Sequence, residues 1–268
     1  MPEGHTIHRL AQDYAAAFAG APARVTSPQG KCSDTAALLD GTVLHTADAH
    51  GKHLFLGFRD PGHTDWIHIH LGLFGKVTFG PAPAPPPTDT VRLRLANGTT
   101  YVDLRGPTTC ALITDAEKAA IHARLGPDPL RADADPAAAF RRVSRSRTTI
   151  AALLMDQKVI AGVGNVYRAE VLFRQRISPF RLGKDVDADL WARTWADLVK
   201  LMRAGVKEGR IVTTERADRE RRRGPARLED AHYVYRRAGL PCRICGTEVR
   251  TEVMVGRNLF WCPTCQAV

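Results

Sequence analysis

The sequence predicts an α+β protein: an N-terminal helix on an antiparallel β-sandwich, followed by a helical domain that ends in a metal-stapled β-hairpin. Three observations carry this. Short segments rich in aromatic and β-branched residues fill the first 115 residues, helical segments take over from about Ala116, and four cysteines close the chain as two Cys-x-x-Cys pairs. With 268 residues, 44% of them apolar, the chain can bury two cores of ordinary size. The expected boundaries are residues 1–115 for the sandwich domain, 116–136 for a linker marked by Asp128-Pro129 and Asp135-Pro136, 137–239 for the helical domain and 240–268 for the metal module.

The first helix follows from Ile7, Leu10, Ala11, Tyr14 and Phe18, which recur at helical spacing. Two readings of the preceding Pro2-Glu3 stand open. Proline at the first helical position and a carboxylate in the first turn suit a helix start. With Met1 removed, Pro2 would instead be a free secondary amine beside a carboxylic acid, the parts of a carbonyl-attacking nucleophile and its proton donor. Residues 52–58 (KHLFLGF) and 66–71 (WIHIHL) read as strands, the second alternating strictly. Residues 91–95 and 99–104, joined through Asn97-Gly98, read as a hairpin with the positive φ of a type I′ turn. Residues 81–87 (PAPAPPP) cannot donate to a ladder and are expected as an exposed connection. Helices are expected over residues 148–155, 165–175 and 188–204. The tract 213–228 (TTERADRERRRGPARL) has charge without apolar period and reads as a mobile loop.

Lys and Arg total 38 against 28 Asp and Glu, a formal charge of +10 that points to a polyanionic partner. No apolar run approaches the ~20 residues of a spanning helix, and the start lacks a signal-peptide pattern. A cytoplasmic protein that meets nucleic acid and no membrane is the expectation. Cys242, Cys245, Cys262 and Cys265, with sixteen residues between the pairs, have the spacing of a zinc site. Cys32 and Cys110 read as ordinary thiols.

Four further stretches invite chemistry. In residues 156–173 (DQKVIAGVGNVYRAEVLF) a glycine turn precedes a helix with Asn165 at its N-cap position, which is either a plain helical hairpin or a phosphate site built from free backbone N–H groups. Residues 255–261 (VGRNLFW) read as part of a hairpin with Gly256 and Arg257 near its tip. A metal-held hairpin can press an arginine on a phosphodiester, or the metal can be purely structural and the arginine merely exposed. Lys52 follows a glycine turn, where a lysine is ordinarily a solvated strand end. His68 and His70 share one strand face; a polar surface is expected there rather than a metal pair, since no third ligand is evident.

Taken together, these features resemble the bacterial formamidopyrimidine-DNA glycosylase and endonuclease VIII family of base-excision repair enzymes over essentially the whole chain. The matching residues are Pro2-Glu3, Gly51-Lys52, His70-Leu71-Gly72, the stretch from Asp156-Gln157 to Glu170 with Gly162, Gly164 and Asn165, Gly256-Arg257, Cys262-Pro263 and Cys265-Gln266. The resemblance implies a helix-two-turn-helix domain, a zinc finger with one structural Zn2+ per chain, and a monomer acting on damaged DNA in the bacterial cytoplasm, at the nucleoid. It further implies a bifunctional glycosylase and abasic-site lyase in which Pro2, Glu3 and Lys52 are catalytic. Lys52, His70, Asn165 and Arg257 would grip phosphates. Leu73 and Arg105 would fill the gap left by a flipped base; residues 103–107 (DLRGP) lack the aromatic of the formamidopyrimidine branch. That departure and the start Gly4-His5-Thr6 place the chain nearer the endonuclease VIII branch, with oxidised pyrimidines and base-free sites as expected substrates and strand cutting by β,δ-elimination. The alternatives are a lyase with little glycosylase activity and a non-catalytic, zinc-dependent protein that binds damaged DNA.

Overall fold

The computed structural model describes residues 2–58 and 65–267 and divides into two compact units that part between Arg124 and Leu125. In the first unit, helix α1 spans Gly4–Phe18 and buries Ile7, Ala11, Tyr14 and Phe18 on one face. Two four-stranded antiparallel sheets follow. One runs β2 (Leu44–His50), β3 (His53–Phe58), β4 (Asp65–His70), β8 (Thr109–Ile113); the other runs β1 (Arg24–Thr26), β6 (Val91–Ala96), β7 (Thr100–Arg105), β5 (Lys76–Pro81). Leu54, Leu56, Ile67 and Ile69 of the first sheet, Leu93, Leu95, Val102 and Leu104 of the second, and α1 share a single core. A short helix, α2 (Ser33–Leu39), adds Ala36 and Leu39 to it.

Several local expectations change. Helix α1 starts at Gly4 with Glu3 as its N-cap, so Pro2 lies outside the helix and no acidic residue sits in the first turn. The two residues still lead into the helix, but from one and two positions before its first residue. Asn97-Gly98 is not a two-residue type I′ turn. Ala96 pairs with Tyr101, and Asn97 closes the longer loop by accepting from the Thr99 and Thr100 amides at 3.0 and 2.9 Å, with no positive φ at Gly98. The interval expected as a linker opens as helix α3 (Asp115–Arg124). Thr114 and Glu117 form a reciprocal capping box there, the Thr114 amide donating to the Glu117 carboxylate at 2.8 Å. Asp135-Pro136, read as interdomain punctuation, is the N-cap and first residue of α4 (Pro136–Val143), with the Asp135 side chain accepting from Ala137 N at 2.9 Å.

The second unit is built around helix α6 (Asn165–Arg174), buried along Asn165–Phe173. Tyr167, Val171 and Leu172 join one core with α4, α5 (Ile150–Leu153), α7 (Ala188–Glu208) and strand β10 (Arg257–Trp261). Val166, Ala169 and Phe173 join a second core with Tyr233, Val234, Cys242 and Phe260. Strand β9 (Arg250–Met254) pairs antiparallel with β10 to complete the hairpin. No side of α6 faces water, so its polar side chains must be satisfied internally. Glu170 accepts from the amides of Tyr233, Val234 and Tyr235 at 2.8, 2.9 and 2.8 Å, and from the Thr213 hydroxyl. Arg174 forms a two-pronged pair with Asp197 of α7 at 2.8 and 2.9 Å.

Glu170 also explains why much of the tract expected to be a mobile loop is anchored. Thr214 donates to Asp230 O at 2.6 Å, the Glu215 amide to Tyr233 Oη at 3.0 Å, and Tyr233 Oη to Asp218 at 2.6 Å. Hydrogen bonds hold residues 213–221 where apolar burial does not. Substituting Glu170→Gln turns an acceptor into a donor facing backbone N–H groups. It is expected to lower the unfolding free energy by about 2–4 kcal/mol, read from the denaturant midpoint with the slope unchanged.

Candidate functional site

In the first unit, Glu3 is fully buried at the N-cap of α1, its carbonyl accepting from Thr6 N at 2.9 Å and its side chain making no capping hydrogen bond. Its carboxylate thus lies at the positive end of the helix without capping it. His5, one residue into the helix, is lowered to about 4 by burial and is neutral at pH 7. Met1, whose removal the amine chemistry requires, lies outside the described residues.

Lys52 sits in a two-residue turn. His50 pairs with His53, leaving Gly51 and Lys52 between β2 and β3, and Gly51 takes φ +60°. His53 pairs in turn with His70 at the end of β4. The pairing thus sets Lys52 and His70 at the same end of one sheet. Beyond His70 the chain turns through Gly72, whose φ is +66° and where a Cβ would collide with the Thr108 side chain. That turn presents Leu73 and Phe74, 48% and 87% exposed. The Phe74 carbonyl lies against Gly106, and Lys76 pairs with Arg105, so the Leu73–Phe74 turn and the Arg105 turn are neighbours. Arg105 is held by Asp103 at 2.8 Å, and Asp103 itself is buried in a two-pronged pair with Arg94 at 2.6 and 2.8 Å. The sequence reading missed Phe74. Its signal was an aromatic side chain between two glycines in a turn, where no core can take it.

The sheet face around His70 is crowded with imidazoles. His53 Nδ1 lies 2.9 Å from His68 Nε2, His50 Nδ1 lies 3.3 Å from His122 Nδ1 of α3, and the His53 ring stacks on those of His68 and His70 at 5.1 and 4.9 Å. Burial, aided by the neighbouring rings, lowers His53 to about 3, while burial lowers His68 to about 4 and His70 below its ordinary value. The folded state thus refuses protons that the unfolded chain accepts below about 6.5, so stability is full above that pH and declines as pH falls toward about 4. Unfolding free energies measured between pH 7.5 and 4.5 are expected to show this decline, with His53→Phe making it shallower.

In the second unit, Gln157 shapes the turn before α6: its Nε2 donates to Val163 O at 2.9 Å and its Oε1 accepts from Gly162 N at 3.0 Å. Gly162 adopts φ +87°. The N-cap of α6 is Gly164, not Asn165. Asn165 is the first helical residue, and its amide donates instead to the backbone carbonyl of Asn258 at 2.9 Å while its oxygen accepts from Arg168. Asn258 is the neighbour of Arg257, so the two predicted phosphate contacts of this unit are brought together through one main-chain oxygen. The Arg257 guanidinium makes no ion pair with any described residue, and it follows a two-residue turn in which Val255 and Gly256 take φ +53° and +66°. Neither Asn258 nor Arg168 carried a sequence signal for this role.

The sulfur atoms of Cys242, Cys245, Cys262 and Cys265 lie within 4.8 Å of one another. Two of the separations are 3.9 Å (Cys242–Cys265) and 3.4 Å (Cys245–Cys262). A tetrahedron with Zn–S bonds near 2.3 Å has edges of ~3.8 Å, so the four thiolates fit zinc, and with no open position the site is structural. Gln266 seats the module by donating to Ile177 O at 2.9 Å and accepting from Cys262 N at 3.0 Å. No helix among the described residues is long and apolar enough to cross a membrane.

The buried Glu3, the sheet end that carries Lys52 and His70, and the zinc hairpin tied to the start of α6 fall within three stretches that each match a known family. Residues 1–110 match the formamidopyrimidine-DNA glycosylase N-terminal domain, 125–217 its H2TH domain, and 239–268 the zinc finger found in FPG and IleRS. The chain belongs to the formamidopyrimidine-DNA glycosylase and endonuclease VIII family, the DNA glycosylases and abasic-site lyases of base-excision repair. It is 50% identical over 273 residues to "Endonuclease 8 1" of Mycobacterium tuberculosis, covering 99% of this chain and all of that one. It is 34% identical over 233 residues to formamidopyrimidine-DNA glycosylase of Thermus thermophilus, covering 86% and 85%. The fold is also that of the Lactococcus lactis Fpg bound to DNA containing an abasic site, with TM-score 0.78, 20% identity and 99% and 100% coverage.

The zinc site carries a direct expectation. Stripping the metal with a chelator should unfold the hairpin, release Asn258 from Asn165 and weaken duplex DNA binding at least tenfold, or about 1.4 kcal/mol. Restoring zinc should restore binding, as followed by fluorescence anisotropy.

Proposed function

We propose that the chain is a bifunctional DNA glycosylase and abasic-site lyase that uses the nitrogen of Pro2 as nucleophile and prefers oxidised pyrimidines. The observation that carries this is Glu3: a carboxylate wholly buried at a helix start, directly beside Pro2. In this reading Met1 is removed and the Pro2 amine attacks C1′ of the damaged nucleotide. An α-amino group has an ordinary pKa of roughly 7.7–8.0, so a neutral fraction exists at pH 7. The base departs with the electron pair of the C1′ bond and takes up the proton released from the Pro2 nitrogen. Glu3 then protonates the ring oxygen as the C1′–O4′ bond opens, leaving a C1′ iminium, and later moves protons during elimination. A secondary amine gives an iminium with no N–H to lose, which stays cationic and draws electrons from C2′. Loss of the 3′ and then the 5′ phosphate follows from that intermediate.

Lys52 and His70 from one unit, and Asn165 and Arg257 from the other, are the phosphate contacts of this reading. The Arg257 guanidinium, which makes no ion pair among the described residues, supports it, as does the formal charge of +10. Leu73 and Phe74 serve as the wedge that fills the gap behind the flipped base, with Arg105 beside them. Phe74 supplies an aromatic side chain although residues 103–107 have none. The preference for oxidised pyrimidines draws support from Gly4-His5-Thr6 at the start of α1 and from the 50% identity to a protein named as an endonuclease 8.

Borohydride added during incubation with base-free-site duplex should trap a covalent protein–DNA adduct, and an uncleaved N-terminal extension should abolish it. Equal trapping by the extended protein would exclude Pro2 as nucleophile. Glu3→Gln should lose base excision by more than about a hundredfold with DNA affinity retained, because it removes a proton donor and not a phosphate contact. Single-turnover rates on matched duplexes test the substrate: thymine glycol or 5-hydroxyuracil is expected to be released faster than 8-oxoguanine opposite cytosine, and the reverse order would refute the preference alone.

A further inference from the structure

His70 is the one predicted phosphate contact whose ring no hydrogen bond orients. Its Nδ1 is buried without a partner, and its Nε2 makes no hydrogen bond with any described residue. A buried lone pair without a donor is tolerated better than a buried N–H without an acceptor. The neutral ring therefore carries its proton on Nε2, the atom left to meet a phosphate oxygen. What fixes the ring plane is the stack on His53, at 4.9 Å between centroids and 23° between planes. His53 is itself held: by the 2.9 Å contact of its Nδ1 with His68 Nε2, by stacking on that ring, and by backbone pairing to His50 on one side and His70 on the other.

We propose that His53 is a positioning residue for the phosphate grip: its ring fixes the His70 imidazole by stacking, and its backbone closes the two-residue turn that carries Lys52. The proposal rests on the reading of Lys52 and His70 as phosphate contacts. His53 touches no reacting atom in this scheme. It acts through its two neighbours, one bonded to it and one stacked on it.

The charged and titratable groups around the stack come from every element that packs there. Strand β2 gives Asp48 and His50, the turn gives Lys52, β4 gives His68 and His70, and α3 gives Lys118, His122 and Arg124. Asp48 is drawn toward α3, lying 3.0 Å from Lys118 Nζ and 3.8 Å from His122 Nε2. Lys118 lies over the Trp66 and Phe55 rings, at 3.4 and 5.4 Å from their centroids. No carboxylate contacts His53 or His70 among the described residues, so nothing there favours an imidazolium and the stack is uncharged at neutral pH. An uncharged stack keeps its rings together, whereas a proton on His53 would set it against His70 and Lys52.

The test compares His53→Ala, His53→Phe, Lys52→Ala and His70→Ala on base-free-site duplex, with the His70 ring protons followed by NMR. His53→Ala is expected to raise KM about tenfold while changing the single-turnover rate at saturating DNA less than about twofold, a loss of ~1.4 kcal/mol in binding alone. It should also move the His70 titration midpoint up toward its ordinary value of about 6.5, because the covering ring is gone. His53→Phe keeps a flat ring against His70 and should bring KM back to within about threefold, with the His70 midpoint still low. A wild-type KM and an unmoved midpoint in His53→Ala, with Lys52→Ala and His70→Ala both weakened, would overturn the positioning role alone. A His53→Phe variant as impaired as His53→Ala would overturn the stacking account. Unchanged KM in both Lys52→Ala and His70→Ala would remove the phosphate reading and the proposal with it.

Discussion

The burial of helix α6 on every side is the constraint that organises the second unit. A helix with one wet face can leave its polar residues to solvent, and α6 has no such face. Asn165, Glu170 and Arg174 must each reach out of the helix to a partner, and each partner lies on a different segment: the zinc hairpin, the stretch from Thr213 to Tyr235, and α7. Three polar side chains on ten residues therefore fix three otherwise separate pieces of chain. Burial makes those bonds obligatory, because a donor or acceptor left unpaired there costs more than the bond is worth at the surface.

The first unit solves a different problem. Its core is apolar and shared by two sheets and a helix, so the outer face of the β2-β3-β4-β8 sheet is free to carry polar groups. That face is paved with histidines and closed by α3 through Lys118, Asp48 and Asp115, the last accepting from Trp66 Nε1 at 2.7 Å. Residues proposed to act on DNA sit where strands stop: Lys52 in a turn, His70 at a strand end, Leu73 and Phe74 in the turn beyond. Loops held by paired strands give exposure without loss of position. The Arg257 site repeats that arrangement on a smaller scale, with metal thiolates doing for a two-stranded ribbon what neighbouring strands do for the sheet.

Much of this was legible in the sequence where a residue type had one physical use. Cys-x-x-Cys pairs, the helical period of α1 and the alternation of residues 66–71 each point one way. Pro2-Glu3 is ambiguous from sequence because both uses begin with the same two residues, and a helix that starts at Gly4 is compatible with either. The capping box at Thr114–Glu117 and the Asp135-Pro136 helix start were written in the chain, but a strong expectation of a linker hid them. Strand β2 gave little signal, since its residues LHTADAH lack apolar alternation and pair only because β3 lies beside them. Asn165 as an N-cap was a sound reading of local preference that tertiary contact overrode: the amide gains more from a buried carbonyl than from its own helix start. The histidine stack required strand register, which places residues from three strands and α3 side by side at sequence separations no local pattern records.

The tie between α6 and the hairpin is made to the main-chain oxygen of Asn258, whose own side chain is exposed. Every amino acid supplies that oxygen. Position 258 can therefore vary without loosening the joint, and side-chain scanning across the hairpin would pass over it silently. The outer surface of the ribbon is free to drift in charge and shape while the link beneath it persists. A comparison of related sequences would then show a variable position at one of the best-anchored points in the unit.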